Sequence, residues 1–339
     1  MRVVVLMGGR SGEHAVSLRS GAAVLGALDA LGWQGLGFVL TGDGRARWPH
    51  EGGEDGARRE GSIAEGLCWL ERASIDCAFI AMHGEEGEDG RVQGALELLR
   101  IPYQGSGVQA SAIGLDKART KDVLKLAELP LAADRLLVAG PAGLARDTLV
   151  ETARELGLPL ALKTMASGSS VGVALVRTLD ELLMTAPTMV GPGESLLVEA
   201  YVAGREFTLP VLETLDGTPE ALPVVEIRPR TAAFFDYEAK YTPGATDELC
   251  PAPIPPDLEA RLRALGVRAH TALGCSGYSR TDCIVAADGS VVLLEVNTLP
   301  GLTNESLLPK AAQAAGLSFP ALVERLVLRA IARHGPSPR

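Results

Sequence analysis

The chain has 339 residues, 47% of them hydrophobic and 22% charged, with a formal net charge of −10 at pH 7. That length predicts two or three domains, and the balance is that of a soluble globular protein, not a disordered one. An acidic chain without a run of five Lys or Arg argues against a nucleic-acid partner, and no stretch of 18 apolar residues exists to span a membrane.

The first hundred residues alternate strand and helix. Residues 3–7 read as a buried strand that breaks at Gly8-Gly9, too short a run for a signal peptide. A helix over 17–31, a strand over 35–40, a helix near 62–72, a strand over 76–82 and a helix over 91–99 follow. This is the rhythm of a doubly wound parallel sheet, whose ligands bind beyond the carboxyl ends of the strands. Gly8-Gly9-Arg10-Ser11-Gly12-Glu13 and His83-Gly84 stand at those ends. Residues 42–61, rich in Gly, Arg and Glu without a period, read as an exposed loop.

The first glycine loop is not G-x-G-x-x-G, and the second strand lacks the acidic residue that a ribose needs. Glu13 at its end suits an ammonium group, although an acid in a helix's first turn is also common for dipole reasons.

A helix over 111–129 stops at Pro130. A strand over 158–163 then leads into Ser167-Gly168-Ser169-Ser170-Val171-Gly172 and a strand over 173–176. Small residues there let backbone N–H groups converge on an anion, with Lys163 within reach; a plain surface turn is the other reading. A helix over 179–184 and strands over 195–201 and 206–212 come next. Glu199 and Glu206 bracket Tyr201-Val202-Ala203-Gly204.

Residues 228–256 show too few periodic apolar positions for an element, and a loop that long is usually functional. Asp236-Tyr237-Glu238-Ala239-Lys240-Tyr241 within it suits a lid over substrate. A helix over 256–273 leads to two β-branched runs, 278–285 and 291–298, joined by Asp288-Gly289, a strong hairpin signal. Folding back brings Asp282 beside Glu295 and Asn297, with Arg280 on the face of Asp282. These hard oxygen donors suit Mg²⁺; a hairpin with one solvated polar face is the alternative. Helices near 307–315 and 319–329 close the chain. The five cysteines, odd in number and without CxxC spacing, read as buried reduced thiols of a cytoplasmic protein.

Taken together, these segments resemble the D-alanine–D-alanine ligases of the ATP-grasp superfamily. The matching motifs run in family order from Gly8 to about Pro309: Gly-Gly-x-Ser-x-Glu, Met82-His83-Gly84 with Gly87-Glu88-Asp89-Gly90, and Tyr103-Gln104-Gly105-Ser106-Gly107. Asp116-Lys117, Gly168-Ser169-Ser170-Val171-Gly172 and Tyr237-Glu238-Ala239-Lys240-Tyr241 come after them. Arg280-Thr281-Asp282, Glu295-Val296-Asn297-Thr298-Leu299-Pro300-Gly301 and Ser306-Leu307 complete the set.

The resemblance implies an α/β chain, α+β in its C-terminal part, with a doubly wound N-terminal sheet followed by a two-subdomain ATP-grasp fold. Its implied domains are 1–105, 106–205 and 206–339, the last carrying the metal site and the 228–256 lid. It implies ATP-dependent joining of two D-alanine molecules through a D-alanyl phosphate, for peptidoglycan synthesis in the cytoplasm, by a homodimer that needs neither nucleic acid nor membrane. Two Mg²⁺ ions, or Mn²⁺ in their place, would sit on Asp282, Glu295 and Asn297. ATP would meet Lys117, Lys163, Ser170, Glu199, Tyr201, Val202, Glu206 and Lys240.

Glu13 would take the first ammonium with His83 nearby, and Glu13, Ser169 and Tyr241 would form one hydrogen-bonded set. Arg280 and the Gly301 N–H would face the oxyanion, and Ser306 with Leu307 the second carboxylate. Tyr241 favours the dipeptide over the depsipeptide-forming or D-serine relatives. The intact phosphoryl-transfer set argues against a mere nucleotide binder. The missing dinucleotide fingerprint argues against a dehydrogenase. Three features depart from the family pattern: Ala15 replaces an acid, Lys163-Thr164-Met165-Ala166-Ser167 replaces a Lys-Pro loop, and Ala200 replaces a charged residue.

Overall fold

The computed structural model describes residues 1–50, 58–165, 172–229, 246–303 and 305–335. The first sheet has strand order β4-β3-β2-β1-β5. Its parallel centre is β1 (Arg2–Gly8) between β2 (Gln34–Leu40) and β5 (Cys77–Ile80). Val3, Val4 and Val5 are wholly buried because helices cover both faces of such a sheet. Helices α1 (His14–Ala30), α2 (Ile63–Arg72) and α3 (Arg91–Leu98) supply the crossovers.

Here the loop expected over 42–61 is corrected. β3 (Arg45–Pro49) and β4 (Arg58–Ser62) form an antiparallel pair that extends the sheet. Ala46 and Trp48 alternate inward, and Trp48 stacks on Phe38 at 6.4 Å, so the buried aromatic outweighs the Gly-rich composition. The helix expected over 111–129 is two helices, α4 (Val108–Leu115) and α5 (Lys117–Leu126). Asp116 breaks them by leaving helical geometry to cap α5, its carboxylate accepting from the Arg119 N–H at 3.0 Å.

The second sheet, ordered β6-β9-β7-β8, joins β6 (Asp134–Val138), β7 (Leu160–Thr164), β8 (Val173–Val176) and β9 (Ser195–Ala200). Helices α6 (Arg146–Leu156) and α7 (Leu179–Met189) cover one face through Leu149 and Leu182 against Leu137, Leu162 and Val198. β6 and α6 were not foreseen: β6 is short and half polar. At Thr164 the departure from the family pattern has a visible use, since its N–H donates to Gly172 O at 3.0 Å, a bond that proline cannot make.

The third sheet is ordered β13-β12-β10-β14-β15, with β11 (Pro219–Ala221) also on β10 (Gly204–Glu213). β12 (Val225–Pro229) and β13 (Thr246–Leu249) mean that the segment expected to be irregular over 228–256 begins in one strand and contains a second paired to it, before an irregular stretch leads to the next helix. β14 (Tyr278–Ala286) and β15 (Val291–Asn297) are the foreseen hairpin, and α8 (Pro256–Leu273) packs beneath them on Leu262 and Ala269. Helices α9 (Leu307–Ala314) and α10 (Phe319–His334) return to the first sheet, where Leu308, Leu322 and Leu326 share a core with Val4, Leu28 and Ile80. No described helix is long and apolar enough to cross a membrane. The thiols of Cys77, Cys275 and Cys283 are buried as expected, whereas Cys68 is exposed on the outer side of α2.

A buried polar cluster ties these parts together. Glu213, at the end of β10, accepts from Arg329 Nε at 2.8 Å and Ser276 Oγ at 3.3 Å, and its other oxygen lies 3.3 Å from His270 Nε2. Burial alone would raise its pKa, but His270, the Gly277 backbone and Arg329 outweigh that and hold it at about 2. A carboxylate depressed below its unfolded value near 4.5 contributes stability above about pH 4.5 and loses it as pH falls toward 2. Glu213→Gln is therefore expected to cost about 3 kcal/mol at neutral pH. It should also flatten the pH dependence of the melting temperature between those two values. Calorimetric melts across pH 2–7 check both, and an unchanged acid limb removes Glu213 from the account.

Candidate active site

Loops at the carboxyl ends of β1 and β5 are fastened to each other. Gly8 and Gly9 adopt φ of +89° and +100°, and a side chain on Gly8 would strike Leu40 O at 2.1 Å, so the turn after β1 requires glycine. Ser11 Oγ then donates to His83 O at 2.7 Å, and the Arg10 guanidinium pairs with the buried Glu86. Glu13 follows at the N-cap of α1. His83 is buried with Nε2 2.9 Å from Ser20 Oγ and Nδ1 3.6 Å from Glu88. Burial raises the pKa of Glu88; His83 opposes this and Glu13 adds to it.

Across the gap lies the hairpin. Its strands pair Val285 with Val291, Ile284 with Val292 and Cys283 with Leu293. A bulge then shifts the register so that Asp282 stands opposite Glu295, and Arg280 opposite Asn297. All four side chains thus share a face, while Thr281 and Val296 point into the core. Arg280 grips Asp282 through Nε at 2.9 Å and Nη2 at 2.8 Å, a bidentate pair, and Thr208 Oγ1 donates to the same carboxylate at 2.6 Å. Burial works against the Arg280 charge, yet Asp282, Glu295 and Glu88 together raise its pKa, so the guanidinium stays charged. Asn297 Oδ1 accepts from the Leu299 N–H at 3.0 Å, which fixes the amide.

A cleft of about 70 Å³ collects Glu13, Glu88, Lys117, Glu295 and Asn297 on one wall or another. Lys117 opens α5 and lines the same cleft as the acids because α4 and α5 pack against β15. Past β15, Gly301 comes so close to Ser306 that a Cβ would lie 2.8 Å from Ser306 Oγ. Ser306 is the N-cap of α9, and its hydroxyl lies 2.8 Å from Thr303 Oγ1; a helix N-terminus with a hydroxyl suits a carboxylate. Leu307 beside it is buried in the core.

On the face turned away from α6 and α7, the second sheet carries Asp134, Glu199 and Ala161 in one row and Leu136, Leu197 and Lys163 in the next. Lys163 Nζ lies 2.5 Å from Glu199 Oε2, and Lys121 Nζ meets the other oxygen. Burial would raise the Glu199 pKa, but Lys163 and Lys121 outweigh it and hold the carboxyl below its usual range. The Tyr201 N–H donates to Pro159 O at 3.1 Å, ahead of Val202 and β10. Glu206 on β10 is opposite Ile284, two pairs along from Thr208 opposite Asp282.

The structure thus gathers Glu13, Lys117, Glu295 and Asn297 in one cleft, and sets Arg280 and Asp282 on its hairpin wall. Lys163, Glu199, Tyr201, Val202 and Glu206 lie on the second sheet and its exit into β10. Ser169, Ser170, Lys240 and Tyr241 lie outside the described residues. Three participants were missed. Glu88 stood inside a quoted motif without a role of its own. Thr208 carries no signal beyond strand alternation. Lys121 had one: a lysine between Thr120 and Leu124 on the buried stripe of a helix needs a partner.

Comparison with known proteins bears on the chain as a whole. Residues 2–106 match the model described as D-ala D-ala ligase N-terminus, and residues 123–328 that described as D-ala D-ala ligase C-terminus. A protein of Desulforudis audaxviator (strain MP104C) named D-alanine--D-alanine ligase is 44% identical over 327 residues, covering 96% of this chain and 97% of that one. A protein of the same name from Desulfotalea psychrophila (strain LSv54 / DSM 12343) is 42% identical over 330 residues, with 96% and 94% covered. The solved D-alanine-D-alanine ligase of Coxiella burnetii superposes with a TM-score of 0.81 at 29% identity, over 98% of this chain and 96% of that one. The Bacillus anthracis ligase complexed with ATP gives 0.77 at 32% identity, with 98% of each chain covered. On sequence and fold, this chain belongs to the D-alanine–D-alanine ligase family.

Proposed function

We propose that this chain joins two molecules of D-alanine into D-alanyl-D-alanine, using ATP and releasing ADP and phosphate, as a precursor step of peptidoglycan synthesis. The observation that carries this reading is the single cleft that holds Glu13, Lys117, Glu295 and Asn297 beside the Arg280–Asp282 pair. Ammonium recognition, phosphate neutralisation and hard-oxygen ligation are all at hand there. The chain is read as three units, divided near residues 105 and 205, and as a homodimer.

A carboxylate is a poor acyl donor, so the first D-alanine is activated as an acyl phosphate. Glu13 holds its ammonium, with His83 oriented by Ser20 and Glu88 behind. Lys117 and Lys163 neutralise the phosphates as point charges, with Ser170 beside them. Glu206 takes the ribose, Glu199 with the Tyr201-Val202 turn takes the adenine, and Lys240 is a further contact to ATP. Asp282, Glu295 and Asn297 fit Mg²⁺ or Mn²⁺: two carboxylates face each other in register and the third donor is an amide oxygen. A bound metal would draw charge from the transferring phosphoryl group.

Arg280 stabilises that charge and afterwards, with the Gly301 N–H, the oxyanion formed when the second amine attacks. Ser306 at the N-terminus of α9 receives the second carboxylate, with Leu307 packing the helix in place. Ser169 and Tyr241 join Glu13 when the 228–256 segment closes and keeps water from the acyl phosphate. An assay of phosphate release tests the reading. Release from ATP that requires D-alanine, with D-alanyl-D-alanine as product, supports it. Turnover indifferent to D-alanine and triggered by a different amino acid would sink it.

A further inference from the structure

Lys121 is a buried lysine that no step above uses. It lies one helical turn beyond Lys117 on α5, and its side chain is 4% exposed. Burying an ammonium requires counter-charge. Its Nζ meets one oxygen of Glu199, donates to Ala132 O at 3.3 Å and lies 3.4 Å from Asp134. Asp134 is itself balanced by Lys125 at 2.8 Å. Glu199 gives its other oxygen to Lys163, so two lysines share one buried carboxylate.

These two lysines are not equivalent. Lys121 is anchored by a carbonyl and two carboxylates inside the junction of α5 with the second sheet. Lys163 is 15% exposed, against 4% for Lys121, and lies on the face of that sheet turned away from α6 and α7, where a four-carbon stem has several rotatable bonds with which to change partner. In the reading above, on which this inference rests, Lys163 must turn to the phosphates. If it were the sole counter-ion of Glu199, its departure would leave a buried carboxylate unpaired, and nucleotide binding would carry that cost.

We propose that Lys121 is a positioning residue: the fixed counter-ion of Glu199 that lets Lys163 exchange from that carboxylate to the phosphates of ATP. The same arrangement keeps Glu199 charged and oriented on the nucleotide side after the exchange. Without nucleotide, Lys163 still compensates Glu199 and Lys125 still compensates Asp134, so loss of Lys121 leaves the empty protein folded. The cost appears only when ATP arrives.

The test uses the full chain with Lys121→Met, Lys121→Arg and Lys125→Met. ATP affinity is measured by calorimetry without D-alanine, and steady-state constants in the phosphate-release assay. Lys121→Met is expected to weaken ATP binding by roughly tenfold or more, with kcat and the D-alanine KM changed by less than about threefold. Lys121→Arg should restore most of the affinity, and Lys125→Met should resemble the parent. ATP affinity within twofold of the parent would overturn the proposal. So would a parallel loss in the D-alanine KM, or failure of Lys121→Met to fold, since both mark a structural staple. Because ATP binding is read directly, a parent enzyme inert toward D-alanine refutes the ligase reading and leaves the Lys121 result separately legible.

Discussion

Arg280→Met is expected to lower kcat by about a thousandfold, the scale seen when a preplaced donor to a developing oxyanion or phosphoryl charge is removed. Arg280 is placed for that role by its own strand: it faces the cleft opposite Asn297, and Asp282 clamps its fork through two hydrogen bonds. Arg280→Lys should recover little, because an ammonium cannot reproduce two parallel N–H donors in one plane. Removing the guanidinium also leaves Asp282, 4% exposed, with Thr208 as its remaining hydrogen-bond donor named above, at a cost of about 3 kcal/mol in stability. The two losses separate in the double variant Arg280→Met with Asp282→Asn, which should regain melting temperature without regaining activity. D-alanine-dependent phosphate release within tenfold of the parent in Arg280→Met would exclude Arg280 from the chemistry.

Glu295→Gln should abolish phosphate release while the melting temperature holds within a few degrees. The substitution keeps shape and removes only charge, and Glu295 lines the cleft at an intermediate exposure where a neutral amide is readily solvated. Two hard-oxygen carboxylates facing each other are what a divalent cation needs; one carboxylate with two amides binds it far more weakly. The loss is expected to reach about a thousandfold in kcat at ordinary metal concentrations. Raising Mg²⁺ or Mn²⁺ should recover part of it. A variant that keeps parental activity and metal dependence would refute the assignment of Asp282, Glu295 and Asn297 to the metal.

The order of the elements was largely legible. The βαβ rhythm of the first hundred residues gives the parallel centre β2-β1-β5, and the bounds of α8 agree with expectation at both ends. Elements that depend on a single buried residue were not legible. β3 is held by Ala46 and Trp48 in a run that composition assigns to loop, and α4 separates from α5 at one capping aspartate. Local composition reports average preference, while a single stacked tryptophan or cap shifts the balance by about 1 kcal/mol, enough to decide a short element.

By itself the sequence determined which residue types meet. Asp288-Gly289 folds the hairpin, and Arg280, Asp282, Glu295 and Asn297 give it a run of charged and amide groups among apolar residues. It also determined the glycine turn that presents Glu13. Only the tertiary structure decided how those residues face. The pairing set by the turn, continued without interruption, places Asp282 opposite Leu294 and turns Glu295 toward the core with Thr281. The bulge after Cys283–Leu293 moves Glu295 to the face of Asp282, because strand side chains alternate and one extra residue exchanges the two sides. Likewise α5 and β9 each carry one half of the Lys121–Glu199 pair, 78 residues apart, and no local pattern links them. Burial chose that partner: an ammonium and a carboxylate excluded from water are held in place by each other.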